Sequence, residues 1–187
     1  MRAGEVHDRI TLSDGRKVVL RALRSSDLAL GIEFANCLVD ERAENPLLGI
    51  LLDKRVTRKD ELDFLKRQLK GIREGNLVNV AAFSGSKMVG NSSIIRRPFS
   101  DVRHSGSLGI GIRKEFRGEG LGRRMLEVLL EKAEGEGILL VELEVFATNK
   151  VARRLYENLG FVTFGVVPKG LLRNGKFIDA VRMYRQA

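Results

Sequence analysis

One cysteine, two histidines and no tryptophan are found in 187 residues, and each scarcity closes off a class of function. A lone Cys37 makes no internal disulfide, which suits a reducing, cytoplasmic setting. It reads as a small core residue on a helix, with a catalytic thiol as the alternative. One Cys and two His cannot supply a zinc-finger spacing, and no metal is expected. Eleven aromatics, nine Phe and two Tyr, are too few for a platform of stacked bases. No apolar run approaches the length of a membrane span, and the N-terminus lacks a signal-peptide apolar region.

The remaining composition is that of a globular chain, 43% hydrophobic and 30% charged. Residues 1–187 fit one domain with a sizeable core. Residues 1–15 are polar and expected to fray, apart from Ile10 and Leu12. The net charge of +9 favours a polyanionic partner, either nucleic acid or a phosphorylated cofactor. The basic residues are interspersed with 24 acidic ones, so a nucleic-acid face is disfavoured.

The chain is organised around Leu108–Ala133, LGIGIRKEFRGEGLGRRMLEVLLEKA. It reads as a strand with two glycines, a basic turn, and a helix whose apolar stripe includes Leu121, Met125, Val128 and Leu129. The loop Arg117-Gly118-Glu119-Gly120-Leu121-Gly122, followed by Arg123 and Arg124, therefore opens a helix N-terminus. There, free backbone N–H groups and the helix dipole favour an anion. Gly120 and Gly122 would let that anion approach the backbone. A dinucleotide fingerprint would need glycine where Arg123 stands, and no Gly-Lys-Ser/Thr ending makes a Walker loop. The pattern present is R-x-x-G-x-G at Arg117, Gly120 and Gly122. An ordinary glycine-rich turn with solvated arginines is the alternative.

Elsewhere the periodicity predicts a strand at residues 17–24 and a helix started by Ser25-Ser26-Asp27. A polar break follows at Asp40–Pro46, then an apolar stretch at Leu47–Leu52 and a helix from Thr57 to about Gly75. Strands are expected at 77–83, 87–95, 138–145, 161–167 and 177–184, and a helix at 148–159. Ser84-Gly85-Ser86 and Asn174-Gly175 read as hairpin turns. The order implies an α/β (α+β) fold, a mixed sheet with helices on its faces.

A second block, LEVFATNKVARRLYENLGF at Leu143–Phe161, presents Asn149 and then A-x-x-L-Y-x-x-x-G-F as Ala152, Leu155, Tyr156, Gly160 and Phe161. With the loop upstream, residues 77–185 resemble the GNAT superfamily of N-acetyltransferases, and the L-E-V run resembles its ribosomal-protein N-terminal acetyltransferases. The resemblance implies a single GNAT-like domain of about six to seven strands and about four helices. It also implies direct acetyl transfer from acetyl-CoA to a primary amine.

By the same resemblance, the strand at Ile110, Gly111 and Ile112 binds the pantetheine arm through its main chain. The loop from Arg117 to Arg123 holds the pyrophosphate, while Asn149 and Ala152 contact the cofactor. Gly109 and Gly111 permit a bulge or the close approach of another chain. Tyr156 is either a core tyrosine or the general acid for the CoA thiolate. Asn149 is a helix cap, a cofactor contact, or both. Glu144 is either a general base or the partner of an arginine, with Glu142 on the same strand face, and water could serve as base instead. His104, beside the cofactor strand, and Asp179, in a Gly-x-Phe-Ile-Asp ending, are further candidates for the acceptor side.

The acceptor expected is a protein or peptide amine, favoured over a polyamine or amino acid. The grounds are Glu144 and the acidic segment Asp40, Glu41 and Glu44. A module that binds CoA without transferring acetyl is the runner-up, and a homodimer is admitted.

Overall fold

Short glycine-bearing turns set the neighbours in the sheet. The structure, a computed structural model, describes residues 1–45 and 49–187. Strands β1 (Val6–Thr11) and β2 (Lys17–Arg21) form the first hairpin. Helices α1 (Leu28–Glu44) and α2 (Arg58–Arg73) follow, then the hairpin of β3 (Leu77–Ser84) and β4 (Lys87–Arg96) and the strand β5 (Ser105–Ile112). Helix α3 (Leu121–Gly135) crosses over to β6 (Leu140–Phe146), and α4 (Lys150–Asn158) leads to the long hairpin of β7 (Val162–Arg173) and β8 (Lys176–Gln186). At its tip Asn174 and Gly175 both have positive φ, 50° and 72°, as a tight turn matching strand twist requires.

The eight strands form one sheet in the order β1-β2-β3-β4-β5-β6-β8-β7. Only β5 and β6 run parallel, joined by the crossover helix α3, whereas β2 and β3, joined through α1 and α2, pair antiparallel. Alternation in β3 distributes the core. Val78, Val80 and Ala82 join the cluster containing Leu121, Met125 and Leu129 of α3, and Tyr156 of α4 belongs to it too. Ala81 and Phe83 join Phe34 and Leu38 of α1 and Leu65 of α2. The helices therefore cover opposite faces, and β3, buried on both, reads as a nearly continuous apolar run.

Several expectations are corrected. There are eight strands rather than six to seven, and part of the segment expected to fray, Val6–Thr11, is strand β1. It is a polar edge strand, so hydrophobic alternation did not announce it. The polar break expected at Asp40 is still helix, which continues to Glu44. Its acids are accommodated by ion pairs, Asp40 with Arg55 and Glu41 with Arg117. Of the apolar stretch expected at Leu47–Leu52, Leu47 and Leu48 lie outside the described residues, and 49–52 have no regular structure. No helix among the described residues is long and apolar enough to cross a membrane.

Candidate active site

The parallel pair is where the sheet comes apart. Ser105, Gly106 and Ser107 of β5 pair with Leu140, Val141 and Glu142 of β6, and there the pairing ends. Beyond it β5 stays with β4 as far as Ile112, opposite Gly90, while β6 stays with β8 as far as Phe146, opposite Ala180. The two strands diverge and leave a cleft of about 1120 Å³, lined by Leu108 to Ile112 on one side and Glu144 to Phe146 on the other. Ligand pockets commonly span roughly 300–1,000 Å³, so two reactants fit together. No bulge interrupts the β4–β5 register, contrary to one reading of the glycines. A Cβ at Gly109 would meet nothing within 4 Å, whereas one at Gly111 would lie 3.1 Å from Leu38 Cδ1. The first glycine leaves space in the cleft; the second admits α1.

One end of the cleft is the N-terminus of α3. Gly118 and Gly120 have φ of 81° and 84°, a left-handed conformation that only glycine adopts cheaply. The first helical bond runs from Arg124 N to Gly120 O, so the N–H groups of Leu121, Gly122 and Arg123 have no intrahelical acceptor. A Cβ on Gly120 would meet nothing within 4 Å, an open approach to those donors. Gly122 has a different reason. A Cβ there would come within 3.1 Å of Ile112 Cδ1 and 3.4 Å of Leu155 Cδ2, so close packing against α4 requires the glycine. Leu121 is fully buried in the core, and Glu119 turns aside to accept a hydrogen bond from Ser13.

The arginines around this turn are largely engaged. Arg117 Nε donates to Ile112 O at 2.8 Å, and its Nη2 reaches Glu41 Oε2 at 2.7 Å. Glu41 is buried, so the pair clamps α1 to the loop and to the end of β5. Arg123 donates to Glu127 at 2.9 Å and Arg124 to Asp8 at 2.6 Å. The positive character at this end therefore comes mainly from the exposed N–H groups rather than from free guanidinium groups.

The opposite wall comes from β6 and α4. Asn149 Oδ1 accepts from Ala152 N at 3.1 Å, capping α4, and both residues line the cleft. Tyr156 also lines it but is 7% exposed, with its ring edge-on to Phe161 at 5.8 Å. Burial pushes its hydroxyl pKa up to about 12. Glu144 lines the cleft and accepts from Arg182 Nε at 3.2 Å, an exposed contact. Glu142 pairs with Arg97 at 2.6 Å and does not reach the cleft.

The other candidates fall elsewhere. His104 is exposed at the paired end of β5 and β6, its carbonyl accepting from Leu139 and Leu140. Asp179 Oδ1 accepts from the backbone N–H of Lys169, which has a φ of 57°, and so fixes the irregularity in β7. Cys37 is half-buried on α1, outside the cleft. Sequence reasoning did not single out Phe34, Leu38, Asn91 or Leu171 as lining residues. Nothing short-range marks them, because they come from three separate elements. Among the described residues no group of three or more His, Cys, Asp or Glu could hold a metal ion.

This geometry has relatives. Residues 45–161 match the model of the acetyltransferase (GNAT) family. A GNAT-family acetyltransferase from Streptococcus pneumoniae superposes with a TM-score of 0.79 at 30% identity, over 91% of this chain and 99% of that one. The L-methionine sulfoximine/L-methionine sulfone acetyltransferase of Pseudomonas aeruginosa is 28% identical over 59% of this chain, which spans 65% of that protein. The N-alpha-acetyltransferase RimI of Mycobacterium tuberculosis is 37% identical over 46% of this chain and 53% of its own length. The split parallel pair, the glycine-bearing helix start and the matched span agree: the chain belongs to the acetyltransferase (GNAT) family.

Proposed function

We propose that this protein transfers the acetyl group of acetyl-CoA to the amine of a protein or peptide. The observation that carries the reading is the divergence of β5 from β6, with free helix N–H groups at one end and Glu144 and Tyr156 in the walls. The cofactor's pyrophosphate would lie against Leu121, Gly122 and Arg123 N–H, and its amide-bearing arm along β5 near Ile110 and Gly111. Arg117 already engages the Ile112 carbonyl, so Ile112 serves less as an acceptor than the resemblance implied.

In the transfer, the amine nitrogen attacks the thioester carbonyl carbon. The new C–N bond forms as the C–S bond breaks, and the electron pair leaves on sulfur. Glu144, directly or through a water, takes the proton the amine must lose, and the Tyr156 hydroxyl gives one to the departing sulfur. The Glu144–Arg182 pair is solvent-exposed, and such pairs contribute about 1 kcal/mol or less. An incoming ammonium can therefore replace Arg182 at small cost.

Identity to the RimI protein and the shared L-E-V pattern support a polypeptide acceptor; identity to the methionine sulfoximine enzyme supports a small one. Steady-state assays with N-terminal peptides, lysine peptides, free amino acids and spermidine separate them. Peptides are expected to be turned over most efficiently. Efficient acetylation of spermidine or a free amino acid, with no peptide turned over, would overturn the polypeptide reading and leave acetyl transfer standing.

A further inference from the structure

Given acetyl transfer in this cleft, on which the inference rests, the acceptor side discriminates by charge and polarity. Glu144 is the one carboxylate among the described lining residues. The lining cations are Arg117 and Arg123 at the start of α3 and Lys150 in the first turn of α4. Both helices belong to the face of the sheet away from α1, although Arg117 reaches back to pair with Glu41 of α1. Strand alternation puts Glu144 and Phe146 on the α1 side, opposite Leu143 and Val145, which join the cluster of α3. On that side the apolar walls are Phe34, Leu38, Ile50, Leu51, Phe146 and Leu171, with the neutral polar side chains of Asn91 and Ser93 on the β4 floor.

The rim continues this character. Leu51 is 72% exposed, and at the β7–β8 tip Leu172 and Phe177 are 64% and 62% exposed. Arg173 Nη2 donates to Ile50 O at 2.8 Å, so the tip and the segment carrying Leu51 are joined at the mouth. Large apolar side chains exposed together beside a cleft mark a binding surface.

Three acceptor classes fare differently here. A polyamine is held by several acids, but none of Asp40, Glu41 and Glu44 is among the described lining residues. The first two are paired with Arg55 and Arg117, which leaves Glu144 in the cleft. A free amino acid brings a carboxylate as well, which must compete with Glu144 for Arg182, its ion-pair partner, beside apolar walls that do not solvate the charge. The N-terminus of a polypeptide brings one positive charge, for Glu144, and a side chain for the apolar walls.

We infer that the acceptor is the α-amine of a polypeptide whose first residue is large and apolar, such as Leu, Met or Phe. Its side chain packs between α1 and the β7–β8 tip while Glu144 faces the amine.

The test is acetylation of matched peptides differing only in the first residue, using the full chain and acetyl-CoA, with CoA release and product mass as readouts. Leu-, Met- and Phe-first peptides are expected to exceed the Gly-first peptide in kcat/KM by roughly tenfold or more, as filling an apolar pocket does. Glu- and Lys-first peptides should be slower than Gly-first. Leu51→Glu changes an exposed side chain and should leave folding intact. It should lower kcat/KM for Leu-first peptides and raise it for Lys-first ones. Peptide acetylation without an apolar preference, or an unchanged ranking in Leu51→Glu, would overturn this inference while acetyl transfer stands. Absence of acetylation of any amine would instead overturn the transferase reading and this inference with it.

Discussion

Gly120→Glu should lose acetyl-CoA binding by roughly 10²-fold or more while the protein remains folded. The substitution puts a carboxylate where the first-turn N–H groups of α3 await an anion, so like charge and bulk act together. It also forces an L-residue into a φ of 84°, at a cost of about 1–2 kcal/mol. Gly85→Glu supplies the control for that strain, since Gly85 has a φ of 55° in the β3–β4 turn and likewise nothing within 4 Å of an added Cβ. Both variants should therefore lose similar stability, and only the first should lose affinity. Arg117→Ala should reduce affinity less than Gly120→Glu, because the N–H groups remain; its main consequence is a buried Glu41 without its partner. Calorimetric titration giving Gly120→Glu the affinity of the unaltered protein would remove the phosphate assignment.

Tyr156→Phe should lower kcat by about 10²-fold and leave the acetyl-CoA dissociation constant within roughly twofold. The ring keeps its edge contact with Phe161, and only the hydroxyl is lost. Burial acts on this group in a definite direction. With its pKa pushed up to about 12, the hydroxyl remains protonated throughout pH 6–10. It is then a donor at every ordinary assay pH, and the rate should show no falling limb near 10, where an ordinary tyrosine ionises. Such a weak acid protonates a thiolate only when the thiolate is itself destabilised, and the same desolvation does that to sulfur emerging beside it. A Tyr156→Phe variant with undiminished turnover across that range would reduce the residue to a packing role.

What was legible in the chain followed the range of the interactions involved. The β5–loop–α3 block was readable because its signals are local: a strand with two glycines, a helix stripe at 3.6 spacing, and glycines where φ must be positive. The Asn149 cap was readable for the same reason, spanning only three residues.

The misses are long-range. Arg117 looked like a free phosphate ligand because Glu41, its partner, is 76 residues away. Gly122 looked like a concession to the anion, yet Ile112 and Leu155 explain it. The acids at 40–44 suggested a break and a cation lure, and two of them prove to be ion-pair partners that leave the helix intact. β1 went unread since an edge strand need bury little, and His7, Asp8 and Arg9 conceal what alternation there is.

The three-residue seam between β5 and β6 has a mechanical meaning. Five strands, β1 to β5, form one antiparallel unit and three, β6, β8 and β7, another, and the backbone ladder joining them is only as long as Ser105–Ser107. A short ladder between two longer ones is the place for sub-global opening, in which each half keeps its own pairing while the two separate. A ligand lying in the gap works as a splint across both halves, so its binding energy becomes cohesion between two cooperative units. Amide hydrogen exchange would register this as slowing on both lips, 108–112 and 143–146, when acetyl-CoA is added, with β1 and β2 unchanged. Slowing confined to the start of α3 would mean that the cofactor is held by its phosphates alone, and that the halves of the sheet cohere without it.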